Sequence, residues 1–135
     1  MIMSSSNQVN QAIPASPPLI MVVDDDLFFG QLVQDVLSDY QVVLCTDAIM
    51  ALDQLNELTP QAIIVDLLMP ATTGLSLIQE LISYDDLNKI PLIVCSSVAS
   101  EVDVEFLRAN GVRAILDKNT IQPQDLKLAL KRLGI

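Results

Sequence analysis

Leu19-Ile20-Met21-Val22-Val23-Asp24-Asp25-Asp26 and, further along, Ala62-Ile63-Ile64-Val65-Asp66 are two short apolar runs that each end in carboxylate. Short apolar runs rich in β-branched side chains and bounded by polar residues read as buried strands. Two further runs also end on polar groups. Pro91 to Cys95 passes into Ser96-Ser97, and Val112 to Leu116 is followed shortly by Lys118. If these strands lie parallel, their carboxyl ends share one edge, and the acids, the hydroxyl and the amine share it too. An acidic cluster with one amine and one hydroxyl is what a divalent cation and a phosphoryl group need.

The segments between the runs carry a helical period. Phe29, Leu32, Val33, Val36 and Leu37 line one face, and Ala48, Ala51, Leu52, Leu55 and Leu58 line a second. Leu77, Ile78, Leu81 and Ile82 mark a third helix, Val102, Phe106 and Ala109 a fourth, and Leu126, Leu130 and Leu133 a fifth. With Gln41–Cys45 as the remaining strand, short apolar runs alternate with helices throughout, which is the pattern of βα repeats on a parallel sheet. Strands apolar along their whole length are covered on both faces. The expected fold is therefore α/β, a doubly wound five-stranded parallel sheet with five helices in a three-layer sandwich. Ligands in such folds sit beyond the carboxyl ends of the strands. Ser100 with Asp103 reads as a capping box, Asn110-Gly111 as a helix stop and Pro123 as a first-turn residue.

A chain of 135 residues suits one domain with a real core. Residues 1–18, with Ser4-Ser5-Ser6, several Asn and Gln, and Pro14, Pro17 and Pro18, read as a disordered tail, and residues 19–135 as the domain. The apolar fraction is 51%, yet no stretch is long enough to cross a bilayer and the N-terminus lacks a signal-peptide layout. A soluble cytoplasmic protein with no membrane partner is expected. Seventeen acidic against seven basic residues give a net charge of −10, which repels phosphate backbones and disfavours direct nucleic-acid binding. The absence of histidine removes imidazole chemistry and the commonest zinc ligand, so any metal should be a hard cation held by oxygen. Cys45 and Cys95 fall inside strand-like runs and read as buried free thiols.

Val22-Val23-Asp24-Asp25-Asp26, Asp66-Leu67-Leu68-Met69-Pro70 with Gly74, Pro91 to Ser97, Gly111 and Lys118 together resemble the receiver domain of two-component response regulators, of the stand-alone type. The resemblance runs from about Leu19 to the C-terminus and implies a sheet of order 2-1-3-4-5. It implies that Asp66 accepts a phosphoryl group from a sensor histidine kinase or a phosphotransfer protein, and that the chain is a switch rather than an enzyme. It also implies Mg2+ or Mn2+ held by Asp25 directly, by Asp24 largely through water, by Asp66 and by the backbone carbonyl of Leu68. Lys118 would pair with the acceptor and then with the phosphoryl oxygens, and Ser96 would be the hydroxyl that moves toward them. Receiver domains often pair through the fourth helix, fifth strand and fifth helix, here about Ser100 to Leu133.

The sequence departs from that pattern at four positions. Asn119 stands where proline commonly follows the lysine, and Ile115 where an aromatic is usual. Leu68 and Val98 replace polar residues that help position the hydrolytic water. Two aliphatic side chains there should exclude that water, so a long-lived phosphorylated state is expected.

Other acids have plainer expected roles. Asp26 suits a helix N-cap, and Asp47, Asp53, Asp85, Asp86 and Asp125 look solvated or capping. Ser97 reads as a small residue leaving room for the phosphoryl group. Met69-Pro70 and Gly74 suit turn geometry, with Gly74 permitting positive φ. Two other functions compete. One is a phosphate-independent protein-binding scaffold on the same fold, favoured by Asn119 and Ile115 and opposed by intact Asp24, Asp25, Asp66 and Lys118. The other is a magnesium-dependent phosphohydrolase with Asp24 as nucleophile and Asp26 as acid, opposed by Phe28 standing where Thr or Val is needed.

Overall fold

Five parallel strands form one sheet in a computed structural model that describes residues 16–69 and 73–135. The strands are β1 (Leu19–Val23), β2 (Gln41–Cys45), β3 (Ala62–Val65), β4 (Leu92–Ser96) and β5 (Val112–Asp117). Their spatial order is β2-β1-β3-β4-β5, as expected, with every pairing parallel. Among the described residues the helices are α1 (Leu27–Val36), α2 (Ala48–Gln54), α3 (Gly74–Ile82), α4 (Val104–Ala109) and α5 (Pro123–Arg132), with a 3-10 turn at Ala99–Glu101. Of the expected tail, residues 1–15 lie outside the described residues, as does Pro70.

The alternation of side chains along the strands sorts the core into two halves. Ile20, Val22, Ala62, Ile64, Ile93 and Cys95 pack on one face under α1 and α5 through Phe29, Val33, Leu37, Leu126 and Leu130. Met21, Val23, Ile63, Val65, Leu92 and Val94 pack on the other face under α2, α3 and α4. The central strands β1, β3 and β4 are buried along nearly their whole length, which is why no polar residue interrupts them. The edge strands β2 and β5 are partly exposed and carry polar residues such as Gln41 and Arg113.

Local signals set most element ends. Asp26 caps α1 by accepting from the N–H groups of Phe28 and Phe29, Asp47 caps α2 from Met50, and Pro123 opens α5 at its first turn. Asn110 ends α4, and Gly111 follows with φ of 90°, a left-handed conformation that a side chain resists.

Four expectations are corrected. β4 runs one residue later than Pro91–Cys95, since Pro91 has no N–H for the ladder, and it takes in Ser96. Ser100 does not cap the fourth helix: it lies in the 3-10 turn, Val102 is extended, and Asp103 alone caps α4 by accepting from Phe106 N–H. The residue that α4 buries is Leu107, while Phe106 and Ala109 are exposed, because a six-residue helix presents fewer than two turns to the core. Gly74 does not adopt positive φ. It is the first residue of α3, and a Cβ on it would lie 2.0 Å from the carbonyl oxygen of Asp66, so close approach is what requires glycine there.

Candidate functional site

The sheet ladder carries on past the strand ends and aligns the polar residues. Asp24 N–H donates to the Cys45 carbonyl at 2.9 Å, Asp66 N–H to the Val23 carbonyl at 3.0 Å, and Lys118 N–H to the Ser96 carbonyl at 3.1 Å. Three strands therefore deliver Asp24, Asp66 and Ser96 to one edge, and the loop after β5 brings Lys118 to it. Among the described residues, the buried polar or charged ones are Asp24 (6% exposed), Asp66 (5%) and Ser96 (0%). Burying carboxylates is unfavourable unless partners compensate, so this concentration is a site rather than a surface pattern.

Asp24, Asp25 and Asp66 each offer an oxygen, and these oxygens lie within 4.8 Å of one another. Asp25 is the exposed member and forms the open side of the cluster. Lys118 bridges the other two, with its Nζ 2.6 Å from Asp24 Oδ2 and 3.1 Å from Asp66 Oδ2. The expected pairing with Asp66 is therefore present, but the shorter contact is to Asp24. Beneath the ammonium lies the Phe29 ring, with its centroid 4.5 Å away. Nothing in the sequence marked Phe29 as more than a core residue of α1. Its place under Lys118 depends on α1 and the β5–α5 loop sharing one face of the sheet.

The remaining lone pairs are engaged unevenly. Asp24 Oδ1 accepts from Asp26 N–H at 2.9 Å, and Asp66 Oδ1 accepts from Leu68 N–H at 3.2 Å. Asp24 Oδ2 is fully buried and, although close to Lys118, has no well-directed hydrogen-bond donor. Burial holds the Asp24 carboxyl above its ordinary value of 3.8, against the lowering influence of Lys118 and the Asp26 N–H and with the nearby Asp66 charge adding to the rise. Burial by itself would lower Lys118, but its contacts with Asp24 and Asp66 overcome that and hold the ammonium above the ordinary lysine value.

An all-oxygen donor set, with one buried carboxylate oxygen that takes no directed hydrogen bond, fits a small hard divalent cation such as Mg2+ or Mn2+. Asp24, Asp25 and Asp66 are the side chains able to hold it. Ser96 is adjacent in the sheet, and its hydroxyl accepts from Val98 N–H at 3.4 Å. Asn119 follows an ordinary trans peptide and donates its side-chain amide to the Ser97 carbonyl at 2.9 Å. Cys45 and Cys95 are buried free thiols as expected, and burial pushes them up to about 11 and about 12. No described helix is long and apolar enough to cross a membrane.

Comparison with known proteins agrees with this geometry. The response regulator receiver domain family matches residues 20–131. The chain is 28% identical over 120 residues to the polar-differentiation response regulator DivK of Brucella anthropi, covering 87% of this chain and 98% of that one. Among solved structures it resembles a sensor protein from Polaromonas sp. JS666, at 29% identity and a TM-score of 0.79, covering 85% of this chain and 94% of that one. It also resembles the Mn2+-bound form of response regulator Rcp1, at 27% identity and a TM-score of 0.71, covering 85% and 91%.

Proposed function

The chain belongs to the response regulator receiver domain family, and from that premise we propose that it is a two-component signalling switch that accepts a phosphoryl group on Asp66. The observation that carries the reading is the buried Asp66 carboxylate, held beside two further carboxylates and the Lys118 ammonium at one sheet edge. On that family reading the donor is a phosphohistidine on a sensor histidine kinase or a phosphotransfer protein, which this chain, having no histidine, cannot supply itself. An Asp66 oxygen attacks phosphorus, the bond from phosphorus to the donor imidazole breaks, and an acyl phosphate remains on the chain.

Each neighbouring group has a part in that step. Asp24 and Asp25, with Asp66 and the Leu68 backbone carbonyl, would hold Mg2+ or Mn2+. Such an ion, when bound, supplies charge neutralisation between an anionic nucleophile and an anionic donor. Lys118 then exchanges its pairing with Asp66 Oδ2 for the phosphoryl oxygens, while Phe29 keeps water from the underside of its ammonium. The Ser96 hydroxyl donates to a phosphoryl oxygen. The phosphoryl group carries about 1.5 to 2 negative charges and replaces the one on the Asp66 carboxylate, so the edge gains about 0.5 to 1 beside Asp24 and Asp25, and the response is local and electrostatic before it is mechanical.

On this reading the chain acts only on its own acceptor and works in the cytoplasm. Pairing of two copies through α4, β5 and α5 is a further part of the proposal.

The test is phosphoryl uptake from acetyl phosphate with Mg2+, read by intact mass. One added phosphoryl group is expected, to be lost in Asp66→Asn. Equal labelling of Asp66→Asn, or no labelling of the unmodified chain, overturns the reading and leaves the phosphate-independent scaffold.

A further inference from the structure

Asn119 lies outside the acidic cluster, and its proposed part rests on the reading that the Ser96 hydroxyl engages the phosphoryl group. Two loops meet beside the cluster, one carrying Ser96 and Ser97 after β4, the other carrying Lys118 and Asn119 after β5. Asn119 is fixed at its own backbone, where its N–H donates to Asp117 Oδ1 at 2.8 Å. Its side-chain amide then crosses to the Ser97 carbonyl at 2.9 Å. That carbonyl belongs to the same peptide unit as the N–H of Val98, and the Val98 N–H is the donor held by Ser96 Oγ at 3.4 Å.

A peptide unit is rigid and planar, so its C=O and N–H cannot be turned independently. Whatever holds the carbonyl also aims the N–H at the opposite end. We propose that Asn119 is a positioning residue that keeps Ser96 in its resting orientation, acting through the Ser97–Val98 peptide. The amide of Asn119 holds the carbonyl end, and the N–H end presents a donor to the hydroxyl oxygen. At 3.4 Å the Val98 bond is near the limit of a hydrogen bond, so a small displacement of Ser96 Oγ breaks it. Asn119 therefore decides how readily that displacement occurs.

Proline could not make this contact, having no side-chain donor. The departure at position 119 thus replaces a stiff loop with a reversible latch between the loop bearing Lys118 and the loop bearing Ser96. Because the latch favours the resting state, removing it should ease the shift toward a ligand on Asp66. The effect should match one neutral hydrogen bond, about three- to tenfold in an equilibrium.

The experiment uses beryllofluoride with Mg2+ as the phosphoryl probe, and the apparent dissociation constant is read by two-dimensional NMR of the full chain. Asn119→Ala should bind the probe about three- to tenfold tighter than the unmodified chain. Asn119→Asp, close in shape but lacking the donor, should show the apo Val98 amide resonance displaced in the same direction as Asn119→Ala. In a Ser96→Ala background, Asn119→Ala should change affinity by less than about 1.5-fold, because the hydroxyl that the latch restrains is gone.

An equal gain in both backgrounds, weaker or unchanged binding in Asn119→Ala, or a Val98 resonance unmoved by loss of the Asn119 donor would each overturn the proposal. If the unmodified chain takes up no beryllofluoride at all, both the phosphoacceptor reading and the latch fall. If it binds the probe and the cycle shows no coupling, the latch alone falls.

Discussion

Leu68 is placed where, on the proposed function, its side chain would set a rate rather than a structure. Its N–H donates to Asp66 Oδ1, yet the residue is 52% exposed, two positions beyond the proposed acceptor. Val98 stands half-buried two residues beyond Ser96. Neither side chain can hydrogen-bond a water and aim it at phosphorus, so hydrolysis of an acyl phosphate on Asp66 should be slow. Leu68→Asn supplies an amide at that place and should quicken loss of radiolabelled phosphate roughly tenfold. A half-life of seconds in the unmodified chain, or an unchanged decay in Leu68→Asn, would refute this. Lys118 has the opposite character: its pairing with Asp24 and Asp66 and its seat on Phe29 make it part of the resting architecture as well as of the proposed chemistry.

The start of α3 is the element on which the position of Asp66 depends. Thr73 caps that helix by accepting from Ser76 N–H, and Gly74 N–H returns to the Leu67 carbonyl at 3.1 Å. The helix is thereby drawn against the backbone of Asp66 itself, which is why a Cβ at position 74 would also come within 2.9 Å of Leu67 Cα. No rotamer change relieves a clash with backbone atoms. Gly74→Ala should destabilise the fold by about 3 kcal/mol, read as a lowered midpoint in urea. A variant of undiminished stability would mean that the helix start can shift freely. By contrast, α4 is short, buries only Leu107 and leaves Val104 and Phe106 exposed, so it is loosely anchored compared with α3. It also lies directly downstream of the Ser96 loop.

At the scale of the whole molecule, a net charge of −10 and a carboxylate cluster at one edge act in the same direction. Both disfavour compaction, and both are relieved by a divalent cation. Binding to the folded chain alone should stabilise it by about 2.7 kcal/mol when Mg2+ is present at a hundredfold its dissociation constant. Thermal unfolding in Mg2+ against EDTA at matched ionic strength measures this, with sodium chloride separating general screening from specific binding. Asp25→Asn should lose most of the gain, because it removes the exposed carboxylate that opens the cluster to solvent. An equal rise in sodium chloride would show that the acids make no defined site.

Most of the architecture was legible in the linear chain because each central strand is buried on both faces, which forces an uninterrupted apolar run and makes its polar terminus conspicuous. Strand order followed from family resemblance, and Asp24, Asp25, Asp66, Ser96 and Lys118 could be named because each is the first or second polar residue past such a run. The beginning of α4 is not legible in the sequence, since Ser100 and Asp103 both have capping chemistry and only packing of the 3-10 turn selects between them. The constraint at Gly74 is hidden for a similar reason: a glycine's need for space is invisible until the backbone that would occupy it is in place. The Phe29 seat under Lys118, the shorter Asp24 contact and the Asn119 bridge to Ser97 were decided by the tertiary structure alone. They join residues far apart in the chain, and their distances are set by how loops from different strands are brought together at one edge.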